Sequence, residues 1–70
     1  MVEMKYFLLD ESPTLDDIKE AYDLVIKNNI VVVLKWYMNY THTATISPNI
    51  VNSISAQEYY EVEFPKLFPV

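Results

Sequence analysis

The sequence contains no cysteine, no glycine and no arginine among its 70 residues. Without cysteine the chain has no disulfides, no thiolate metal sites and no cysteine nucleophile. Without glycine it cannot form the phosphate-binding loops and dinucleotide fingerprints that need glycine at fixed positions. Glycine and arginine codons are partly GC-rich, whereas isoleucine, asparagine, lysine and tyrosine codons are AT-rich. This composition indicates an AT-rich genome and favours a virus- or plasmid-encoded protein.

The charge balance is acidic, with ten Asp and Glu against five Lys and a formal net charge of −5. Nucleic-acid binding needs a basic footprint, so direct nucleic-acid binding is not expected. A partner of this chain is instead expected to present a basic surface.

Long hydrophobic runs are also missing. The longest fully apolar run, residues 30–34, is far shorter than the roughly 20 residues that a membrane span requires. Residues 1–10 carry an acid where a signal peptide carries basic residues. We therefore expect no membrane association and a cytoplasmic location.

Apolar residues are abundant for so short a chain, at 51%, which argues against disorder. The length allows a single domain, residues 1–70, and a domain of this size buries only about 60% of its unfolded surface. Part of the apolar surface is therefore expected to meet another chain, most simply in a homodimer. The candidate self-association residues are Val31, Val33, Leu67 and Phe68.

The first half of the chain predicts a strand and then a helix. Residues 2–9 are rich in large apolar and aromatic side chains and predict a strand. Apolar residues then recur at steps of three and four over about 14–28, which predicts an amphipathic helix. Either Ser12 caps this helix, with Pro13 at its first position, or Thr14 caps it together with Asp17. The apolar positions are Leu15, Ile18, Ala21, Tyr22, Val25 and Ile26.

Residues 30–47 alternate with a period of two and predict strand structure throughout. The first part is apolar at both parities, as in a central strand, and the second part is apolar at one parity and threonine-rich at the other. Eighteen residues exceed an ordinary strand of about 3–10. A break within 38–42 is favoured over one long bent strand.

The end of the chain is ambiguous. Ser55 and Glu58 have the spacing of a capping box, which favours a helix from residue 56. The alternation from Tyr60 to Phe64 favours a strand instead, and the strand is preferred here, with a second short helix within 48–64 as the alternative. Residues 66–70 are expected to be extended and docked on the core or on a partner.

Together these elements predict a small α+β domain of the order β-α-β-β(-β). One helix packs on one face of a mixed sheet, and strands one and two are parallel. The other face has no helix to cover it.

Acidic and tyrosine side chains form the candidate partner surface. Carboxylates four residues apart on a helix lie on one face, and an exposed tyrosine is typical of interface hot spots. A helix face lined with carboxylates is most often simply a solvated face, and less often a surface that mimics nucleic-acid phosphates. The candidates are Asp16, Asp17, Glu20, Asp23, Tyr37 and Tyr59.

No catalytic, metal or cofactor site is expected. The only histidine, His42, has no carboxylate at metal-ligand spacing and no paired acid or serine. Its parity places it with Tyr40 and Ala44 on the apolar face. The sequence therefore favours a non-enzymatic protein that binds or inhibits a macromolecular partner, with a small structural subunit of a larger assembly as the alternative.

Overall fold

The computed structural model describes residues 3–67 and contains a three-stranded mixed sheet with helices. The α+β class and the single helix packed on a sheet are confirmed. The elements in chain order are β1 (Met4–Leu9), α1 (Leu15–Asn28), β2 (Val31–Met38), β3 (Tyr40–Ile46), α2 (Pro48–Ser53) and α3 (Ala56–Glu58). After α3 the chain continues through a π-helical turn, Tyr59–Glu63, and a 3-10 turn, Phe64–Leu67.

Helix α1 begins and ends where the sequence predicts. Thr14 is the N-cap: its Oγ1 accepts a hydrogen bond from the Asp17 backbone N–H at 3.3 Å, and the Asp17 carboxylate accepts one from the Thr14 N–H at 2.9 Å. This reciprocal pair satisfies two of the donors that every helix start leaves open. The helix ends at Asn29, whose φ of 53° is left-handed and is tolerated by asparagine better than by most residues.

Replacing Thr14 by alanine is expected to destabilise the domain by about 1 kcal/mol, because it removes the oxygen that caps α1. Urea unfolding followed by the fluorescence of the single tryptophan, Trp36, measures this loss. Thr14→Ser is the matched control, since serine caps equally well. An alanine variant with an unchanged midpoint would show that the capping box does not stabilise the fold.

The sheet has the order β1-β2-β3, so β2 is the central strand, as its apolar character at both parities predicts. β1 and β2 are parallel, with Tyr6 beside Val33, and β2 and β3 are antiparallel, with Val33 beside Thr45. The predicted break is confirmed as a tight hairpin turn at Asn39, which has a φ of 68°. Asparagine again supplies the positive φ in a chain that has no glycine.

The core lies between the helices and one face of the sheet. Ile18, Val32 and Ile46 are its most completely buried large side chains. Leu24 packs against this core, whereas Ile26, which the periodicity places among the apolar positions, is 66% exposed. The buried residues of this main core are Ile18, Ala21, Tyr22, Val25, Ile30, Val32, Leu34, Trp36, Ala44, Ile46, Tyr59 and Phe64.

The strand preferred for Tyr60 to Phe64 is wrong, and the helical alternative within 48–64 is confirmed. Ser47 and Ser55 cap α2 and α3: each Oγ accepts a backbone hydrogen bond, from Ile50 at 3.4 Å and from Glu58 at 3.1 Å. The expected extended conformation is also wrong for Lys66 and Leu67, which lie in the 3-10 turn. Residues 68–70 lie outside the described residues.

Tyr22 joins α1 to this helical end of the chain. Its hydroxyl donates to the carbonyl oxygens of Ile54 at 3.2 Å and Ser55 at 3.3 Å. Its ring lies 6.3 Å from that of Tyr59, in a tilted arrangement that aromatic pairs favour. These contacts hold the helical segment that follows β3 against α1.

Candidate functional site: an acid-rimmed groove beside the first helix

A groove runs between α1 and β1 because the helices do not cover the whole sheet. α1 packs mainly on β2 and β3, α2 and α3 pack against α1, and the last turn packs on β3. The helical layer is therefore displaced toward β3. The inward side chains of β1, Phe7 and Leu9, are consequently only half-buried. The groove that they open has a volume of about 360 Å³.

The groove has an apolar floor and a charged rim. Its floor comes from three elements, since β1, β2 and α1 each contribute apolar side chains. Its rim comes from α1 alone, at positions three or four residues apart. The floor residues are Phe7, Leu9, Ala21, Leu24, Val32 and Leu34, and the rim residues are Asp17, Glu20, Asp23 and Lys27.

The rim is predominantly negative. Three carboxylates and one ammonium group give it a formal charge of −2. Asp17 already accepts the Thr14 N–H in the capping box, whereas Glu20 and Asp23 are exposed on the solvent side of α1. These two carboxylates are therefore available to an incoming cation.

The opposite face of the sheet is not covered by any element among residues 3–67. We call it the open face, and its side chains alternate with those that point toward the helices. Val33, at the centre of this face, is buried beneath its neighbours although it lies outside the main core. Beside it, the Lys35 Nζ lies 5.8 Å from the Tyr6 ring centroid. The open face consists of Met4, Tyr6, Leu8, Val31, Val33, Lys35, Tyr37, Thr41, Thr43 and Thr45.

The predicted partner surface is brought together only in part. Asp17, Glu20 and Asp23 line the groove, whereas Asp16 is exposed on α1 outside it. Tyr37 is 68% exposed but lies on the open face, on the other side of the sheet.

The expectation that Tyr59 is exposed is wrong, because it is only 5% exposed. In a strand Tyr59 would point away from Tyr60 and Val62. The helical turn directs it instead toward Tyr22 on α1.

The candidate self-association residues are also separated. Val31 and Val33 lie on the open face, half-buried and buried respectively. Leu67 packs partly buried against the core on the helical side. Phe68 lies outside the described residues.

Sequence reasoning missed the floor of the groove. Phe7 and Leu9 are recognisable as strand residues, but their parity does not show how far the helices extend across the sheet. The periodicity of α1 also points to Ile26 instead of Leu24, which lines the groove.

His42 lies where its parity predicts, on the helical side of the sheet and buried. Its ring stacks on that of Trp36, with the ring centroids 5.5 Å apart, and the Tyr40 ring centroid lies 4.2 Å from its own. Its Nε2 lies 3.2 Å from the Met38 carbonyl oxygen. Within residues 3–67 no three His, Asp or Glu side chains are grouped so that they could hold a metal ion. His42 is thus enclosed by aromatic rings and contributes to packing.

Burial shifts the ionisation of two core tyrosines. It raises the pKa of the Tyr59 hydroxyl above its ordinary value of 10.0, and the neighbouring Tyr22 and Glu63 raise it further. Burial and, secondly, Glu58 raise the pKa of Tyr22 in the same direction. Both hydroxyls are therefore held in the neutral form in the folded state.

Alkaline pH is expected to unfold the domain through these two groups. A raised folded-state pKa stabilises the fold below the unfolded value of 10.0, and this stabilisation is lost as the pH rises above it. Thermal melts between about pH 8 and 11 measure the effect. Tyr59→Phe should flatten the decline above about pH 10, whereas the exposed Tyr37→Phe should leave it unchanged. Identical profiles for both variants would contradict this explanation.

Comparisons of the chain with protein-family models, with curated proteins and with solved structures find no match. None of the helices within residues 3–67 has the length and apolar character needed to cross a membrane.

Proposed function

We propose that this chain is a non-enzymatic binding protein whose groove between α1 and β1 holds a basic amphipathic helix of another protein. The observation that carries the proposal is the combination of an apolar floor with a negatively charged rim along one helix. An amphipathic helix with lysine or arginine beside its apolar stripe is complementary to both features.

The shape of the groove favours a helical ligand. Its floor runs along β1 and β2 beside α1, which forms one wall. Two packed helices lie about 8–10 Å apart, so a helix laid beside α1 would cover the half-buried Phe7 and Leu9. Apolar side chains of the ligand at positions i, i+3, i+4 and i+7 would then contact Leu24 and Leu34 on the floor.

The charge of the chain favours a basic ligand. The formal net charge is −5, and the exposed Glu20 and Asp23 lie directly at the groove. Complementary charges raise association rates and select among partners more than they raise affinity. Exposed charges are also screened by salt beyond about 8–10 Å. Binding is therefore expected to weaken as the salt concentration rises.

A fluorescein-labelled peptide of about 20 residues tests the proposal. The peptide carries leucine at i, i+3, i+4 and i+7 and lysine beside this stripe, with alanine elsewhere. Fluorescence anisotropy should show saturable binding that weakens between about 50 and 500 mM salt. The matched control peptide carries glutamate in place of lysine and should not bind. Equal binding of both peptides, or binding that salt does not change, would refute the basic-partner proposal.

A further inference from the structure

Within residues 3–67, β1 has one edge with no strand beside it. In the described part of the chain it pairs only with β2, and it carries neither a proline nor a bulge along Met4–Leu9. Its open-face side chains Met4, Tyr6 and Leu8 are all exposed, Leu8 to 83%. Proteins usually protect such edges with prolines, bulges or several charges, because an unprotected edge pairs with another strand. Lys5 is the one charged residue within Met4–Leu9.

The backbone groups available at this edge follow from the pairing with β2. The Val31 N–H donates to the Glu3 carbonyl at 2.9 Å, so Glu3 points its backbone polar groups at β2. Direction alternates along a strand, so Lys5, Phe7 and Leu9 also point at β2. The N–H and C=O groups of Met4, Tyr6 and Leu8 therefore point outward.

We propose that a second copy of this chain pairs with this edge, antiparallel and about a two-fold axis through Tyr6. Tyr6 then lies opposite Tyr6 of the second copy, and Met4 opposite its Leu8. The three outward-pointing residues of each copy exchange backbone hydrogen bonds with each other. The two three-stranded sheets become one sheet of six strands.

Side-chain pairing selects this register over its neighbours. The alternation of faces requires an axis through a residue of β1. An axis through Lys5 would place two lysines opposite each other, and like charges directly opposite are destabilising. An axis through Phe7 would place Met4 opposite Asp10 and Glu3 opposite Glu11. The axis through Tyr6 places Met4 against Leu8, Lys5 against Phe7 and Glu3 against Leu9, so no like charges lie opposite each other within residues 3–9.

The register through Tyr6 also repeats a contact that already exists within the chain. The Lys5 Nζ lies 6.0 Å from the Phe7 ring centroid on the helical side of the sheet. In the dimer the same pair of residues meets between the two copies. The edge is thus complementary to itself, although the whole chain carries a charge of −5. This self-complementarity identifies the occupant as a second copy.

The dimer would bring the two grooves together. The two-fold axis is perpendicular to the sheet, so both helical layers lie on the same side and the two copies of β1 lie between them. α1 contacts both β2 and β3. If its axis lies over the gap between these strands, strands about 4.8 Å apart put the two α1 axes about 19 Å from each other. One helix packing at about 8–10 Å from each would fill that space. A stoichiometry of one ligand helix per dimer follows, and this consequence alone rests on the proposed function.

Sedimentation equilibrium of the full chain tests the dimer. We expect a reversible dimer whose dissociation constant falls as salt rises, because salt screens the repulsion between two acidic copies. Tyr6→Pro removes an outward N–H, which an edge strand tolerates, and should give a monomer with an unchanged circular dichroism spectrum. A wild-type chain that stays monomeric at every concentration, or a dimer that survives Tyr6→Pro, would overturn the proposal.

A charge exchange tests the register even if the proline variant does not fold. Met4→Lys and Leu8→Glu each shift the net charge by one unit, and the double variant keeps it at −5. Each single variant should weaken the dimer roughly tenfold, since the substituted pair occurs twice in the dimer. The double variant should recover most of the affinity, because lysine at 4 then faces glutamate at 8 of the other copy. A double variant whose dimer affinity stays as low as that of the single variants would overturn the register through Tyr6.

The salt dependence separates this inference from the proposed function. Salt should strengthen the dimer and weaken the binding of the lysine-containing peptide. A chain that dimerises through β1 but does not bind the peptide would overturn only the proposed function. A monomeric chain that binds the peptide would overturn only the dimer.

Discussion

Replacing Tyr59 by alanine is expected to destabilise the domain by about 3–5 kcal/mol, the usual loss when a buried aromatic side chain is truncated. Tyr59 is only 5% exposed and packs against Tyr22. Single domains have a total stability of about 5–15 kcal/mol, so this variant should lie close to the unfolding threshold. Urea unfolding followed by circular dichroism measures the loss.

Tyr37→Ala is the matched control for this prediction. Tyr37 is 68% exposed on the open face, and substitutions at such surface positions usually change stability by less than about 0.5 kcal/mol. Tyr59 and Tyr37 are therefore the same residue type in opposite environments. Equal losses for the two variants would contradict the helical placement of Tyr59 and favour the strand that the sequence pattern suggests.

Reversing the rim charges with Glu20→Lys and Asp23→Lys is expected to weaken binding of the lysine-containing peptide at least tenfold at low salt. The formal charge of the rim changes from −2 to +2. Each exposed charge pair contributes about 0.2–1 kcal/mol, and reversal adds repulsion to its loss. The effect should shrink at high salt, where exposed charges are screened. Anisotropy titrations across salt concentrations measure it.

The matched control reverses two acids that do not line the groove, with Glu11→Lys and Glu61→Lys. The net charge of the chain changes by the same amount, so any effect of overall charge is shared by both double variants. Circular dichroism checks that each variant folds, since Asp23→Lys places like charges beside Lys27 on α1. If both double variants lose the same affinity, the groove is not the binding site.

The first half of the fold could be predicted because its signals are local and agree with one another. The apolar spacing over about 14–28 specifies α1, and the structure shows which of the two predicted caps is used, Thr14 with Asp17. The alternation over β2 and β3 identifies the central strand. The length of the alternating segment favours a break within 38–42, and the hairpin turns at Asn39 within that range.

The end of the chain could not be predicted, because its local signals disagree. Alternation from Tyr60 to Phe64 favours a strand, whereas the Ser55–Glu58 spacing favours a helix. The contacts that decide between them are distant in sequence: Tyr22 donates to the carbonyls of Ile54 and Ser55. Tertiary packing thus overrides the short alternating pattern.

The groove could not be predicted from the sequence for a related reason. Helical periodicity places Glu20 and Asp23 on one side of α1, but it does not show where α1 crosses the sheet. That position depends on α2 and α3, which pack against α1 on the helical side of the sheet. Only the assembled layers show that Phe7 and Leu9 are left half-covered beside the carboxylates.

The most direct test of the proposed function is a nuclear magnetic resonance titration of the ¹⁵N-labelled chain with the lysine-containing peptide. Binding in the groove predicts saturable shifts at the backbone amides of Phe7, Leu9, Ala21 and Leu24. The amides of α2, on the far side of α1, should not shift. Shifts confined to α2 or to the hairpin turn at Asn39, or no saturable shift at all, would contradict the assignment of the groove as the partner site.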